Sequence, residues 1–360
     1  MDATTELWVN RSNYRDTKIV TSDAVPLADG EIRVHIDKFG LTSNNVSYAV
    51  GGDFIGYWKF YLAEEGWGKV PVWGMADVVE SNCVDVPVGE RIWGFFPMAS
   101  HAALTPGKVV AASFMDHTPH RRELPSLYNQ YLRTSGEAEA MRSREDERCL
   151  LFPLFGTSFC LFDYLLDNEF FGAEQVLIGS VSSKTGFGLA QLLKEDGPAS
   201  VSVVGLTSPG NVDFVNALGC CDQVVTYGNE GQVDAGKKAA YVDMSGNASL
   251  TRTLHTHLGE NMVESCMVGA THWEAGGASG DLPGATPQFF FAPSQISKRN
   301  KEWGPGVFTQ KASEASLKLA QLVSDQITVE RIQGAEAASE IWKAMLENQV
   351  SPKRGIMVSI

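Results

Sequence analysis

One glycine-rich run carries the plainest chemistry in the chain. Val176, Leu177, Ile178 and Gly179 lead through Ser180, Val181, Ser182, Ser183, Lys184 and Thr185 to Gly186, Phe187 and Gly188. Phosphate is held by backbone N–H groups at a helix N-terminus, and glycine lets the backbone come close to it. Gly179, Gly186 and Gly188 supply that freedom, Ser182, Ser183 and Thr185 add hydroxyl donors, and Lys184 adds a charge. The spacing is glycine–x6–glycine–x–glycine rather than G-x-G-x-x-G, so the order of apolar run, loop and helical stretch carries the reading. A Walker-type loop competes through Lys184–Thr185 and fails because Ser183 stands where a glycine must precede the lysine. A structural turn that binds nothing is the plain alternative.

A dinucleotide site normally has an acid about 20 residues further on, at the end of the second strand, for the ribose hydroxyls. Here that position reads Gly205–Leu206–Thr207–Ser208, without a carboxylate. Hydroxyls suit a 2′-phosphate, so NADP(H) is expected over NAD(H). No Arg or Lys lies between 195 and 236, which leaves Lys184 as the candidate cation. Tyr227 closes a third strand, Ser245 and Gly246 follow a fourth, and Gly269 and Ala270 follow a fifth. Ligands of such sheets bind at the carboxyl ends of strands, so these residues are expected at the cofactor, with Phe289 to Pro293 covering it.

Two aromatic stretches are candidates for a substrate pocket. GGDFIGYWKFY (51–61) contains Tyr57 and Trp58, which would wall a flat apolar pocket or pack as a satellite hydrophobic cluster. HTPHRRELPSLYNQYLR (117–133) brings His120, Arg121, Tyr128 and Tyr131 close in sequence. His120 is a candidate general acid, or an ordinary exposed loop histidine.

The surrounding elements give these residues an order. EIRVHID (31–37), PVWGMADVV (71–79) and RIWGFF (91–96) read as strands. TSGEAEAMRSREDER (134–148) is charged and reads as an exposed loop or solvated helix before a domain boundary. Short apolar runs at 176–179, 201–205, 223–227, 239–246 and 261–270 then alternate with helical stretches, implying a parallel sheet covered on both faces. An irregular stretch after 271 precedes helices near 311–325 and 335–348 and a last strand at 355–360. The class is therefore α/β, a β-rich start followed by a doubly wound parallel sheet.

The formal net charge of −14 argues against nucleic acid and anionic membranes as partners. No apolar run is long enough for a membrane helix, and MDATTELWVN lacks the features of a secretory leader, so a cytoplasmic protein is expected. The six cysteines are scattered apart from adjacent Cys220 and Cys221, which suits reduced thiols. They and His101, His117 and His120 show no metal-ligand spacing, so no metal is expected.

FGLTSNNVSYAVGG (39–52), PVWGMADVVES…VPVGERIWGF (71–95), NVDFVNALGCCDQVVTY (211–227), YVDMSGN (241–247) and the closing GIMVSI resemble the medium-chain dehydrogenase/reductase superfamily on its quinone-oxidoreductase side. VPVWGMADVV, LYNQYLR, VSSKTGFGLA and FFFAPSQISKR are similar to a divergent branch described only as a domain of unknown function. The resemblance implies a GroES-like catalytic domain at 1–148, a Rossmann cofactor domain at 149–300, and a segment at 301–360 returning to the catalytic domain. It also implies a homodimer. Zinc-dependent members need a histidine where this chain reads WGMAD, and the four-cysteine zinc lobe is missing, so the resemblance is to the zinc-free side. It places Tyr48 by the catalytic cleft, which makes Tyr48 the candidate proton donor or else a packed strand-end aromatic, with Asn44 and Asn45 as candidate amide donors beside it. The expected activity is NADPH-dependent reduction of an enone or quinone-like small molecule, flat and apolar. Carbonyl/alcohol redox, non-redox chemistry on the same fold, and a non-catalytic NADP-binding scaffold stay open.

Overall fold

The computed structural model describes residues 3–269 and 281–360. It divides into two compact units: the chain up to Leu150 together with Val329–Ile360, and Leu151–Thr328.

The first unit is mostly antiparallel sheet. Its strands are β1 (Thr4–Asn10), β2 (Thr17–Ser22), β3 (Ile32–Leu41), β4 (Trp67–Gly68), β5 (Pro71–Ser81), β6 (Arg91–Pro97), β7 (His101–Leu104), β8 (Pro106–Gly107), β9 (Ser113–Asp116) and β10 (Gln130–Arg133). One helix, α1 (Ser43–Val50), leaves the end of β3, and two short ones, α2 (Glu139–Arg142) and α3 (Glu145–Leu150), follow β10. β3, β5 and β6 are buried along most of their length because all are rich in Val, Ile, Phe and Trp. Gly74 lets β5 cross β3 closely, since a Cβ there would lie 2.7 Å from the Lys38 carbonyl oxygen.

The second unit begins with α4 (Phe152–Asp167) and continues as β11 (Gln175–Gly179), α5 (Lys184–Asp196), β12 (Ser202–Thr207), α6 (Val212–Leu218), β13 (Gln223–Thr226), β14 (Ala239–Asp243), α7 (Ala248–Leu258), β15 (Met262–Met267), β16 (Gln288–Phe289), α8 (Ala292–Trp303) and α9 (Val307–Val323). The sheet order is β13-β12-β11-β14-β15-β16, every pairing parallel. Leu177, Val204, Leu206, Val225, Tyr241 and Met262 pack beneath Leu250, Leu254 and Leu258 of α7. The chain then supplies β17 (Thr328–Gln333), α10 (Ala335–Leu346) and β18 (Arg354–Ser359). β18 pairs antiparallel with β3, in a sheet ordered β17-β18-β3-β5-β6-β10-β9-β8 with β7 also on β3.

The α/β class and the doubly wound sheet are as the sequence implies. Several details differ. Residues 301–328, expected in the returning segment, lie in the second unit. Helices α4 and α8 have no counterpart in the sequence reading. Asp163 of α4 receives hydrogen bonds from Gln295 (2.5 Å) and Arg299 (2.7 Å) of α8, a pairing between distant segments that local periodicity does not encode. The charged stretch 134–148 is not uniformly solvated: Arg148 is 1% exposed and forks onto Glu137 at 2.5 and 2.6 Å. The fifth strand ends at Met267.

Helix α5 meets α4 at Gly188. A Cβ there would stand 2.6 Å from Ser158 Oγ and 2.7 Å from the Phe155 ring, and Ser158 Oγ donates to the Thr185 carbonyl (2.8 Å). Gly188→Ala overpacks this crossing. It is expected to cost about 1–3 kcal/mol, read as a lower urea midpoint at unchanged slope.

Candidate functional site

In the second unit, β11 delivers the chain into a tight loop. Ser180 takes a left-handed conformation (φ 55°), and its N–H is accepted by the Tyr227 hydroxyl at 3.0 Å. Ser183 caps α5, its Oγ accepting the Gly186 N–H at 3.1 Å. Gly186 is required because a Cβ would meet the Ser180 carbonyl at 2.6 Å, and Gly179 because one would meet Tyr241 Oη at 2.8 Å. A helix leaves its first N–H groups without intrahelical acceptors and carries partial positive charge there. Half-buried Lys184 and Thr185 stand in that first turn. Burial lowers the Lys184 ammonium to about 8. This loop fits a phosphate group.

Some of the hydroxyls expected at a phosphate are engaged within the protein. Ser182 is 5% exposed and accepts hydrogen bonds from Thr207 Oγ1 (3.1 Å) and Asn211 Nδ2 (3.2 Å). Ser182 and Thr207 therefore brace the loop against the end of β12, a role their sequence positions do not reveal. Ser208, the next residue, is half-buried at the start of the following turn. After β14, Ser245 is fully buried and donates to Asp243 Oδ1 (2.5 Å), which also accepts the N–H groups of Ser245 (2.8 Å) and Gly246 (3.2 Å). That inward carboxylate shapes the turn, and Gly246 completes it with φ 66°. Gly269 passes the Met244 carbonyl so closely that a Cβ would lie 2.5 Å from its oxygen. Ala270 lies outside the described residues. Phe289 is exposed on β16, and Pro293 sits in the first turn of α8.

In the first unit, Thr42 and Asn45 form a capping box at the start of α1. Asn45 Oδ1 accepts the Thr42 N–H at 2.7 Å, and its amide donates to the Pro71 carbonyl at 2.9 Å. Asn45 is thus a structural clamp rather than a donor to substrate. The clamp orients α1 so that Asn44 and Tyr48, four residues apart, share a face. Trp73 Nε1 donates to Tyr48 Oη at 3.2 Å, and Asn44 hydrogen-bonds the same phenol. Tyr48 packs on Tyr57 (ring centroids 4.5 Å apart), Phe95 (5.5 Å) and Tyr128 (6.4 Å), and the hydroxyls of Tyr57 and Tyr128 pair at 2.9 Å. Burial pushes the Tyr48 and Tyr57 phenols far above their usual range, so both keep their protons at neutral pH. Tyr48, Tyr57 and Tyr128 are themselves only 6%, 5% and 7% exposed, so they form a packed aromatic cluster in which the Tyr48 and Tyr57 hydroxyls stay neutral.

The other two expected pocket residues, Trp58 and Tyr131, are core as well. Trp58 is 2% exposed and fills the space left by Gly52 and Gly68, where a Cβ would fall 2.0 and 2.3 Å from its ring. Tyr131 is fully buried against Gly94 and Phe114; its hydroxyl donates to the Phe95 carbonyl (2.7 Å) and meets Tyr61 Oη (3.0 Å) and Arg121 (3.2 Å). Arg121 is the centre of that network, paired with buried Asp116 at 2.6 Å and bonded to Asn129 Oδ1 and the Tyr128 carbonyl at 2.9 Å. His120 is exposed on the turn beside it, with Nε2 3.3 Å from the Phe60 carbonyl oxygen. Trp73 was legible only as part of WGMAD; its contact with Tyr48 joins segments that sequence spacing does not relate. Among the described residues no group of three or more His, Cys, Asp or Glu converges, and no helix is long and apolar enough to cross a membrane.

Residues 39–351 match the family described as Protein of unknown function (DUF2855). No curated protein matches the sequence. Among solved structures, CurA from Vibrio vulnificus in complex with NADPH superposes with a TM-score of 0.63 at 12% identity, over 99% of this chain and 98% of that one. The yhdH oxidoreductase from Salmonella enterica in complex with NADP gives 0.56 at 13%, over 99% of both chains. A mutant form of enoyl thioester reductase from Candida tropicalis gives 0.59 at 13%, over 100% of both. At such identities the likeness is one of fold alone, a GroES-like unit with a Rossmann unit.

The Arg121 network predicts how its members respond to substitution. Tyr131→Phe is expected to cost about 1–2 kcal/mol through the lost buried hydrogen bonds. Arg121→Leu, which strands buried Asp116, should cost about 3–5 kcal/mol. Urea unfolding followed by circular dichroism checks both.

Proposed function

We propose that this chain, which belongs to the DUF2855 family, is an NADPH-dependent oxidoreductase that reduces a carbonyl-conjugated double bond, as in an enone or quinone-like molecule, without zinc. The observation that carries the reading is the loop at the N-terminus of α5, where Gly179 and Gly186 clear the backbone, Ser183 caps the helix and Lys184 adds a cation. The NADPH and NADP bound to CurA and yhdH, proteins of the same fold, support the choice of cofactor.

The second unit is the cofactor-binding unit. Lys184, Thr185 and the first N–H groups of α5 hold phosphate, and Ser208 replaces the acid that would repel a 2′-phosphate. Tyr227 fixes Ser180 at the loop entrance. When bound, NADPH supplies the hydride that reduces the β-carbon of the substrate. The protein must then stabilise the enolate and deliver a proton. Tyr48 is the proposed donor: its O–H bond breaks, the proton goes to the enolate, and the phenolate recovers a proton from water. Tyr57 and Tyr128 provide aromatic walls and further hydroxyls.

NADPH mixed with the protein and a panel of enones, quinones and aldehydes, followed at the nicotinamide absorbance, tests this directly. Oxidation of NADPH with conjugated substrates is expected. Binding without turnover on any of them would make the protein a scaffold, and no binding would end the reading. Tyr48→Phe should lower kcat at least tenfold and leave NADPH affinity within about twofold.

Lys184 sets a pH dependence. Its folded value of about 8 lies below the usual lysine value, so the free protein loses this charge as pH rises through 8. Phosphate favours the charged form and draws the proton back on binding. The 2′-phosphate itself is fully ionised above about pH 7. NADPH affinity is therefore expected to fall about tenfold per pH unit above 8, until the lysine of the complex titrates too. Fluorescence titration at pH 7 and 9.5 measures the fall, and Lys184→Met should flatten it and weaken binding at pH 7.

A further inference from the structure

Tyr48 does not stand alone. Its oxygen receives the Trp73 indole N–H at 3.2 Å and a hydrogen bond from Asn44. An indole nitrogen is a donor only, so the direction of the first bond is not in question. With two donors at the phenol oxygen, its own O–H bond is turned away from both. The side chain that sets this direction is itself fixed. Trp73 lies opposite Phe95 across the β5–β6 ladder, with ring centroids 5.0 Å apart, and is 6% exposed. On the same sheet face, Trp93 stacks flat on it, 4.6 Å between centroids and 17° between planes. The guanidinium of Arg148 lies 4.8 Å over Trp93, and Glu137 holds that guanidinium through two hydrogen bonds. An ion pair, a cation–π contact and an indole stack thus run in series to one N–H group.

We propose that Trp73 is the positioning residue for the Tyr48 proton. Its N–H fixes where the O–H bond points, and it shares the charge left on the phenol oxygen when the proton departs. The inference rests on the reading of Tyr48 as donor. The step balances: the Tyr48 O–H bond breaks, the proton passes to the substrate enolate, the electron pair stays on the phenolate oxygen between Trp73 and Asn44, and water restores the proton. Trp73 is 6% exposed with its N–H spent on Tyr48, so its proposed effect on turnover runs through Tyr48. Indole stacking alone, without the N–H, would hold the ring of Trp73 in place and leave one donor fewer, Asn44 remaining, to fix the direction of the phenol O–H.

The test combines a double-mutant cycle with a signal independent of turnover. Protein carrying tyrosine labelled with ¹³C at the ζ carbon is examined by NMR, with the Tyr48 resonance identified by its loss in Tyr48→Phe. Trp73→Phe is expected to shift that resonance while leaving NADPH affinity unchanged. It should also lower kcat about tenfold with KM within about twofold. On the Tyr48→Phe background the same change should cost less than twofold, because the partner it serves is gone. If Trp73→Phe does not fold, 3-benzothienylalanine at position 73 keeps the ring system and removes only the N–H, and the same results are expected. A Tyr48 resonance that does not move, or a tenfold loss repeated in full on the Tyr48→Phe background, overturns the positioning role. Native turnover by Tyr48→Phe overturns the donor reading instead, while the NMR signal still decides whether Trp73 holds the phenol.

Discussion

The bond from the Asn45 amide to the Pro71 carbonyl sets the geometry of the first unit's candidate site. Helix α1 has only eight residues, too few to be stable through its own backbone bonds. Its start is secured by the reciprocal bonds of Thr42 and Asn45, and its position by the reach of Asn45 to the first residue of β5. Two residues further along that strand stands Trp73, which meets Tyr48 one turn down the helix. The clamp and the phenol are therefore parts of one rigid triangle between helix and strand. Aromatic packing fills the triangle but does not define it, since rings tolerate several tilts where an amide bridge tolerates one.

The second unit solves a different problem. A parallel sheet puts successive strand ends along one edge, and the chain must turn there without blocking the approach of a ligand. Its hydroxyl residues divide the work. Ser182, Thr207 and Ser245 turn inward and hold the turns in shape, while Ser183 caps the helix. Lys184 and Thr185 remain at the helix N-terminus. Turns already ordered by their own hydrogen bonds lose little further freedom when a ligand binds to them.

The parts of this molecule written in local pattern were legible in the sequence. Alternating apolar runs mark the parallel sheet, and the order of apolar run, glycine-rich turn and helical stretch marks the loop between β11 and α5. What depends on distant partners was not. Trp58 and Tyr131 look like pocket residues by composition, and only Gly52, Gly68 and Gly94, which sit under their rings, make them core. Asn45 looks like a donor until Pro71 is placed opposite it. Helix α8 hides in a stretch of Pro, Gln and Lys because what holds it is Asp163, far back in the chain. Arg148 belongs to a run of charges that reads as solvated, and its burial follows from a partner, Glu137, within that same run. Charge composition reports how many ions there are, not which of them face each other.

The pairing of β18 with β3 has a consequence for the order in which the protein can be made. Strand β18 lies between β17 and β3 in the largest sheet, yet it emerges from the ribosome after the whole of Leu151–Thr328. Domains generally fold as units during synthesis, N-terminal first. Here the N-terminal unit cannot finish first: β5 and β7 pair with β3, but the end of β3 at Phe39, Gly40 and Leu41 waits for β18. The uninterrupted second unit can close earlier, leaving the first with an open strand edge, and such edges are where chains pair with the wrong partner. The polypeptide that starts first is thus completed last, and its final segment serves as the stitch that shuts the sheet.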